Sequence, residues 1–414
     1  MSEENIGLQH TTNSDFPLSG NSNVSNSNGN AAPQPTIERT TSRSATLTLD
    51  YDFESPIFLH AHGIRTTNVR IAKAVDTRWG NKVHVQILLT SISTTIHDRI
   101  HAKSQTNERS ECALDINVDW SIWDMGLTNA EVAITMPISD PSKISHAVHP
   151  GIRVDIPNGA IGVTMMGSTR FKHLELSTGH GPAHLSDVAA DTIKLVAHNG
   201  NITVHDIEAT GAVEIIGKAA WMDIDDLRAA SLTATSADAI ISLKDIDAAA
   251  VSATTTNARI GLGNVKATTL EVSTCNGEVV ATNVYVAACN VKVVKGNIEG
   301  NWCPTKKLYL STSDAKIVAQ VHLNSDEPLE MVLVSKNGPV QLDLPATFIG
   351  GFFLQTTGFF KTFVHTHPTV KCSPVLHISK PDNKAGFLGD SGSKRHSLRI
   401  ITEEAPINVN FGSM

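Results

Sequence analysis

The sequence predicts an all-β protein whose main body is a single-stranded β-solenoid, a β-helix-like stack of 19-residue coils. Three observations lead to this prediction: apolar and polar residues alternate over long stretches, the alternation recurs with a fixed period, and small residues recur at one place in every period. Hydrophobic residues make up 41% of the 414 residues but aromatic residues only 5%, so the core must consist mainly of aliphatic side chains.

The period of 19 residues is clearest from Leu174 onward. The first apolar column of the repeat contains, in chain order, Leu174, Ile193, Val213, Leu232, Val251, Leu270, Cys289 and Leu308, with one 20-residue interval that contains a Thr-Gly pair. A second apolar column follows two residues later, then a column of Gly and Ala that is often preceded by Asn or Asp, and then further apolar columns. Each unit therefore predicts two strands and a short third strand, separated by turns.

Two other architectures fit the repeat less well. A β-sandwich would also explain the alternation, but it gives no reason for one phase to persist over eight units. A helical repeat would need apolar residues at i, i+3, i+4 and i+7, which no unit has. The pattern therefore favours coils that stack at about 4.8 Å, the spacing of neighbouring β-strands.

The chain divides into three parts by composition. Residues 1–42 are rich in Ser, Asn, Gly and Thr, show no periodicity and are predicted to be a disordered tail. Residues 43–150 contain irregularly spaced strand-like runs, at 45–52, 82–89 and 131–136, and are predicted to be a β-rich N-terminal capping region. Residues 151–414 are predicted to form the solenoid, with a C-terminal cap around 344–397 and a last repeat-like stretch at 398–409. A solenoid exposes open strand edges at both ends, so a cap is expected at each.

Charge and targeting signals narrow the function. The net charge is −8 and the pI is near 6.1, which argues against a nucleic-acid partner and against an anionic membrane as a partner. No stretch of 18 or more apolar residues occurs, so no transmembrane segment is expected. The N-terminus lacks a signal-peptide pattern and the five cysteines lack paired spacing, so the sequence predicts a cytoplasmic location and leaves display at a cell surface open.

One further column carries only Asp or Asn, at Asp187, Asp206, Asp226, Asp245, Asn264 and Asn283. Carboxylates stacked about 4.8 Å apart repel by about 1 kcal/mol in water and about 3 kcal/mol at an effective dielectric constant of 20, so a row of Ca²⁺ ions is one interpretation of the four aspartates. The other is a structural turn ladder, because Asp and Asn both accept backbone hydrogen bonds at corners and tolerate turn dihedrals. The sequence favours the turn ladder and predicts neither a metal nor another cofactor.

Several segments resemble a known family. The Asn-Gly-x-apolar-x-apolar units, the stretch LPATFIGGFFLQTTG (Leu344–Gly358) and the closing LRIITEEAPINVNF (Leu398–Phe411) are similar to the adhesin-like β-solenoid proteins, a domain of unknown function that includes fungal members. The resemblance covers roughly residues 130–414. It implies the solenoid architecture and an adhesin-like role, and the family brings no established catalytic residues to transfer.

The sequence therefore predicts a non-enzymatic scaffold or binding protein whose partner is an unidentified protein or carbohydrate. The alternative is a carbohydrate-active β-helix enzyme of the polysaccharide lyase or glycoside hydrolase type. Its carboxylates would come from Asp223, Asp225 and Asp226 or from Asp245 and Asp247. Runs of Ala and Ser follow both clusters, instead of aromatic residues that stack on sugars, which favours the non-enzymatic prediction.

Overall fold

Every regular element that the computed structural model describes is a β-strand, which confirms the all-β prediction. The described residues are 36–41, 44–62, 64–74, 82–91, 100–106, 112–118, 128–137, 148–165, 169–219, 221–324, 327–357, 359–370, 372–389 and 396–412. They belong to a unit that runs from Pro33 to Met414. Residues 1–35 of the predicted tail lie outside the described residues, and Thr36–Thr41 of the same segment form a strand.

The N-terminal region contains eight strands with mixed pairing: β1 (Thr36–Thr41), β2 (Ser44–Asp52), β3 (Ile57–His62), β4 (Thr66–Lys73), β5 (Lys82–Ser91), β6 (Ile100–Thr106), β7 (Cys112–Val118) and β8 (Thr128–Met136). Strand β5 pairs antiparallel with β2 and with β8, and β6 pairs antiparallel with β7. The pairing becomes parallel between β8 and β4 and between β7 and β3. The three runs that the sequence identified as strand-like are β2, β5 and β8, and they are neighbours in the sheet.

The regular coils contain β9 (Val148–Asn158), β10 (Ile161–Thr164), β11 (Arg170–His180), β12 (Ala183–Ala197), β13 (Ile202–Ala209), β14 (Ala212–Gly217), β15 (Met222–Thr235), β16 (Ile241–Thr255), β17 (Ile260–Gly263), β18 (Lys266–Thr274), β19 (Val279–Val293), β20 (Ile298–Thr312), β21 (Ile317–Val321), β22 (Glu330–Ser335) and β23 (Val340–Leu344). Their pairing is parallel, and in the central coils the paired residues are 19 apart: Ile241 lies opposite Ile260, and Ile260 lies opposite Val279. This register confirms the solenoid.

The single 20-residue interval is accommodated at a corner. Ala190 lies opposite Ala209, a separation of 19, whereas Ile193 lies opposite Val213, a separation of 20. The extra residue falls in the bend at 210–211, between β13 and β14. Because the insertion loops out of the ladder, the apolar columns keep the same phase on both sides of it.

The apolar columns form a continuous core. Leu195, Ile215 and Ala234 are successive members of the second column and are all fully buried. Stacked coils place each of these side chains against its equivalents in the coils before and after, and burial of one such aliphatic side chain contributes about 1.5–3 kcal/mol. The narrow interior explains why the columns contain Ala, Val, Ile and Leu rather than aromatic residues.

A row of buried hydroxyl groups lies at the corner after the first strand of the coil, a feature that the apolar columns did not reveal. Thr274 Oγ1 donates to the Ala258 carbonyl at 3.2 Å and accepts the Gly277 N–H at 3.1 Å. Ser335 Oγ makes the equivalent pair of bonds with the Ala315 carbonyl and the Gly338 N–H. These hydroxyls satisfy backbone groups that the turn would otherwise leave buried and unpaired.

The C-terminal part contains β24 (Gly350–Gln355), β25 (Thr362–Thr366), β26 (Val375–Ser379), β27 (Asn383–Leu388), β28 (His396–Thr402) and β29 (Ile407–Phe411). Their order in space differs from their order in the chain. Strand β28 lies between β22 and β24, and β29 lies between β23 and β25. The last coil is therefore inserted between two earlier ones, and β24–β27 cover it.

Candidate functional site

The Asp and Asn column occupies one corner of six successive coils. Asp187, Asp206, Asp226, Asp245, Asn264 and Asn283 all have a positive φ, between 49° and 56°. Non-glycine residues rarely enter this left-handed region, and Asp and Asn enter it most readily because their short polar side chains bond locally. The buried residues on either side of this corner, such as Leu243 and Ile246, are three positions apart instead of two. The corner thus turns the chain while both flanking side chains stay inside.

Side chains in one half of this ladder are joined by hydrogen bonds. Asn264 Nδ2 donates to Asp245 Oδ1 at 2.8 Å, and Asn283 Nδ2 donates to Asn264 Oδ1 at 3.1 Å. Lys244 Nζ lies 3.3 Å from Asp245 Oδ2 and 3.1 Å from Asp225 Oδ2. The Asn264 amide, followed by the Lys244 ammonium, lowers the pKa of Asp245. In this half of the ladder, the negative charge of Asp245 is therefore compensated by groups of the protein itself.

The other half is crowded with like charges. The pKa of Asp206 is raised, first by its hydrogen bond with Asp187 and then by desolvation and by the charges of Asp187 and Asp226. In the described part of the chain, no group of three or more His, Cys, Asp or Glu side chains is arranged to hold a metal ion. The ladder therefore combines one turn geometry with two different electrostatic environments.

A second exposed ladder lies at the corner between the first and second strands of each coil. Asn257 Nδ2 donates to Asp238 Oδ1 at 2.7 Å, and Asn276 Nδ2 donates to Asn257 Oδ1 at 2.7 Å. The sequence identified these residues as turn residues preceding the Gly and Ala column. Their bonding from coil to coil depends on the stacking register, which places equivalent side chains next to each other.

A shallow groove crosses three adjacent coils on the outer face of β18, β19 and β20. Its volume is about 360 Å³, and it is lined by Thr269, Leu270, Glu271, Ala288, Cys289, Asn290, Lys292, Lys307 and Tyr309. The register places Asn290 between Glu271 and Tyr309. Ala288 pairs with Lys307 in the register of β19 and β20. Because the Ala288 side chain is small, it leaves a depression beside the Tyr309 ring. Sequence analysis missed this site, although Tyr309 is the aromatic member of an otherwise polar outward column.

One residue that lines the groove, Asn290, has an unsatisfied polar atom below the surface. Asn290 Oδ1 is buried and has no hydrogen-bond partner among the described residues. A buried carbonyl oxygen without a partner costs about 1–3 kcal/mol. Hydroxyl, amide, ammonium and carboxylate groups beside one aromatic ring can fix the orientation of a polar ligand with an apolar face.

A second cavity, of about 500 Å³, lies beneath the hairpin of β26 and β27, lined by residues that include Lys306, Glu330, His377, Phe387 and His396. His396 is buried and its Nδ1 accepts the Leu329 N–H at 3.3 Å. The carboxylates of the enzyme alternative lie elsewhere, on the β15 and β16 coils. Of these, Asp225 and Asp245 are bound by the same lysine, Lys244.

One buried titratable side chain lies at the start of the regular coils. His149 on β9 is fully buried and packs edge-on against Phe53, with ring centroids 5.2 Å apart, and against Phe171 at 5.7 Å. Its Nδ1 accepts the Gly151 N–H at 3.1 Å, whereas its buried Nε2 has no partner among the described residues. Desolvation lowers the pKa of His149 to about 4, so the imidazole is neutral at physiological pH.

No family model and no curated protein matches the chain. Two solved structures align with most of it. A "putative cell adhesion protein" from Clostridium sporogenes is 8% identical over 92% of this chain and 99% of that chain, with a TM-score of 0.17. A "putative adhesin" from Bacteroides fragilis is 10% identical over 88% of this chain and 96% of that chain, with a TM-score of 0.22. No helix in the described part of the chain is long and apolar enough to cross a bilayer.

Proposed function

We propose that this β-solenoid is a non-enzymatic, adhesin-like binding scaffold and that the groove on β18–β20 binds carbohydrate. The observation that carries the proposal is the groove itself, in which Tyr309 lies with the charged side chains of Glu271 and Lys292. Sugars present alternating hydroxyl groups and an apolar ring face, which match the polar side chains and the aromatic ring of the groove. The cytoplasmic location expected from the sequence is part of the proposal, and cell fractionation tests it.

The ladder at the left-handed corners has a structural role in this proposal. Asn264 and Asn283 already satisfy the carboxylate and amide groups next to them, and Lys244 neutralises Asp245. We therefore assign the ladder to holding the corners in register rather than to binding Ca²⁺. Calorimetric titration of the protein with Ca²⁺ should give no binding heat and no change in melting temperature. Saturable heat that Asp206→Asn abolishes would overturn this assignment.

We also propose the three-part division of the chain at residues 42 and 150. Limited proteolysis with mass spectrometry should cut first within residues 1–42 and leave the solenoid and its capping regions intact. First cuts inside the regular coils would contradict these boundaries.

Glycan-array binding of the full chain tests the carbohydrate proposal. Tyr309→Ala should lower the affinity for bound glycans by at least tenfold, because it removes the ring that contacts the sugar face. Tyr285→Ala is the matched control, since Tyr285 is 41% exposed on β19 and does not line the groove. Equal binding by wild type and Tyr309→Ala, or binding to no glycan, would overturn the proposed ligand. Release of products from the bound glycans would instead support the enzyme alternative.

A further inference from the structure

Exposed apolar side chains are concentrated in the C-terminal cap. Among the described residues, six of the eleven large hydrophobic side chains that are exposed lie between positions 359 and 378: Phe359, Phe360, Phe363, Val375, Leu376 and Ile378. Phe359 is 102% exposed, so its whole ring is in solvent. Single exposed apolar residues are ordinary, but a cluster of this kind is typical of a surface that binds a partner.

The charge of this segment is opposite to that of the chain. Residues 359–384 contain four lysines and one aspartate, whereas the whole chain has a net charge of −8. The overall charge argued against an anionic partner, but it hides this local reversal. The cap thus combines exposed aromatic rings with a positive charge.

Backbone hydrogen bonds join the two loops that carry these side chains. The N–H of Thr356 donates to the Asp382 carbonyl at 2.9 Å, and the N–H of Thr362 donates to the Pro381 carbonyl at 2.8 Å. The corner between β24 and β25 therefore lies beside the turn between β26 and β27. We name as the cap patch the exposed side chains on and next to these two loops: Phe359, Phe360, Lys361, Ile378, Lys380 and the partly exposed Lys384.

The lysines indicate the chemistry of the partner. All five residues of β26 are exposed, and within the described part of the chain β26 pairs only with β27, so it has a free edge. An apolar free edge can pair with a second copy, but cap-to-cap contact would bring the lysines of both copies together. An anionic membrane surface matches both the positive charge and the exposed rings of the patch. Its headgroups attract the lysines, and its acyl chains provide an apolar layer for the rings.

We propose that the cap patch binds an anionic phospholipid membrane. Phe359 and Phe360 insert at the boundary between headgroups and acyl chains, and Lys361, Lys380 and Lys384 contact the lipid phosphates. Two inserted rings and three lysines combine the apolar and electrostatic contributions that reversible membrane binding needs. This function is separate from the carbohydrate groove, which lies on β18–β20.

Vesicle co-sedimentation of the full chain tests the proposal. Wild type should sediment with vesicles containing about one third phosphatidylserine and much less with pure phosphatidylcholine, and added salt should weaken the binding. Phe359→Ser with Phe360→Ser should lower the affinity at least tenfold. Lys361→Glu with Lys380→Glu should lower it by more than tenfold, since each lysine contributes about fivefold. Because all four side chains are exposed, the melting temperature should not change.

A control variant and a second measurement distinguish membrane binding by the cap patch from nonspecific binding and from self-association. Trp221→Ser with Lys266→Glu removes an exposed ring and a lysine from the coils, and it should bind vesicles like wild type. No sedimentation of wild type with anionic vesicles, or equal sedimentation of the control and the cap variants, would overturn the proposal. Analytical ultracentrifugation without lipid supplies the remaining outcome. Self-association that the phenylalanine variant abolishes would assign the patch to a second copy instead.

Discussion

The left-handed corners lead to a specific prediction for Asn264. Its φ is 53°, a region that costs a residue with a Cβ about 1–2 kcal/mol and costs Asn less. Asn264→Ala also removes the bond donated to Asp245 and the bond accepted from Asn283, each exposed and each contributing about 0.5 kcal/mol. We expect Asn264→Ala to lower the free energy of unfolding by about 2–3 kcal/mol.

Glycine at the same position separates the backbone contribution from the side-chain bonds. Asn264→Gly loses the same two hydrogen bonds but has no Cβ to strain, so it should cost only about 1 kcal/mol. The glycine variant should therefore be more stable than the alanine variant. Asn301 in β20 is the matched control, because its backbone is not left-handed. There the order should reverse, with glycine less stable than alanine by about 0.5–1 kcal/mol.

Denaturant unfolding followed by circular dichroism measures both pairs of variants. Hydrogen exchange of the neighbouring coils should accompany it, because long repeat arrays can open locally without unfolding as a whole. If Asn264→Gly is no more stable than Asn264→Ala, the left-handed backbone is not the reason for Asn or Asp at this corner. The structural assignment of the ladder would then lose its main support.

Three further predictions follow from the same structure. Asp206→Asn should raise the melting temperature at pH 7, because the raised pKa of Asp206 shows that its charged form destabilises the folded state. The gain in melting temperature should vanish at pH values low enough to protonate Asp206. A gain that persists at those pH values would contradict this cause. The pKa of His149 is lowered from 6.5 to about 4. Its contribution to the free energy of unfolding should therefore be fully present above pH 6.5 and fall by up to about 3 kcal/mol as the pH drops to 4. His149→Phe should remove that part of the pH dependence in thermal melts. Gly200→Ala should lower the free energy of unfolding by about 1–3 kcal/mol because its Cβ would overlap the backbone of the preceding coil. Gly261→Ala, whose Cβ has 3.9 Å to the nearest atom outside its chain neighbours, should change the free energy by less than about 0.5 kcal/mol, and equal losses at the two glycines would refute the steric reason.

The sequence was sufficient to predict the coils because their contacts are periodic. Ile241, Ile260 and Val279 belong to one column in the sequence and are neighbours in the sheet, since each coil packs on the next one along the chain. The Asp and Asn column was recognisable in the sequence for the same reason, since its members recur with the period. The difference in charge environment between the two halves of the ladder was not predictable from the sequence, because the position of Lys244 beside Asp245 depends on side-chain conformation.

The insertion of the last coil could not be predicted from the columns. Met331 lies opposite Leu398, 67 residues later in the chain, and Leu398 also lies opposite Phe352. A repeat template assigns a residue to a column but does not give the order in which separated coils stack. The strand pairing in the N-terminal region could not be predicted for a related reason. The alternation of apolar and polar residues identifies β2 and β5 as strands, but it does not say which strands they pair with.

The candidate binding surfaces lie where the repeat changes on the outside while the core stays the same. Inward positions must fit equivalent side chains about 4.8 Å above and below, so they are restricted to similar residues in every coil. Outward positions have no such restriction, so Tyr309 could arise there without disturbing the columns, and Phe359 lies in a loop of the cap outside the columns. A search for periodicity therefore finds the architecture and passes over the residues that bind. In a solenoid, the exceptions to the repeat on its outer faces are the first positions to test for function.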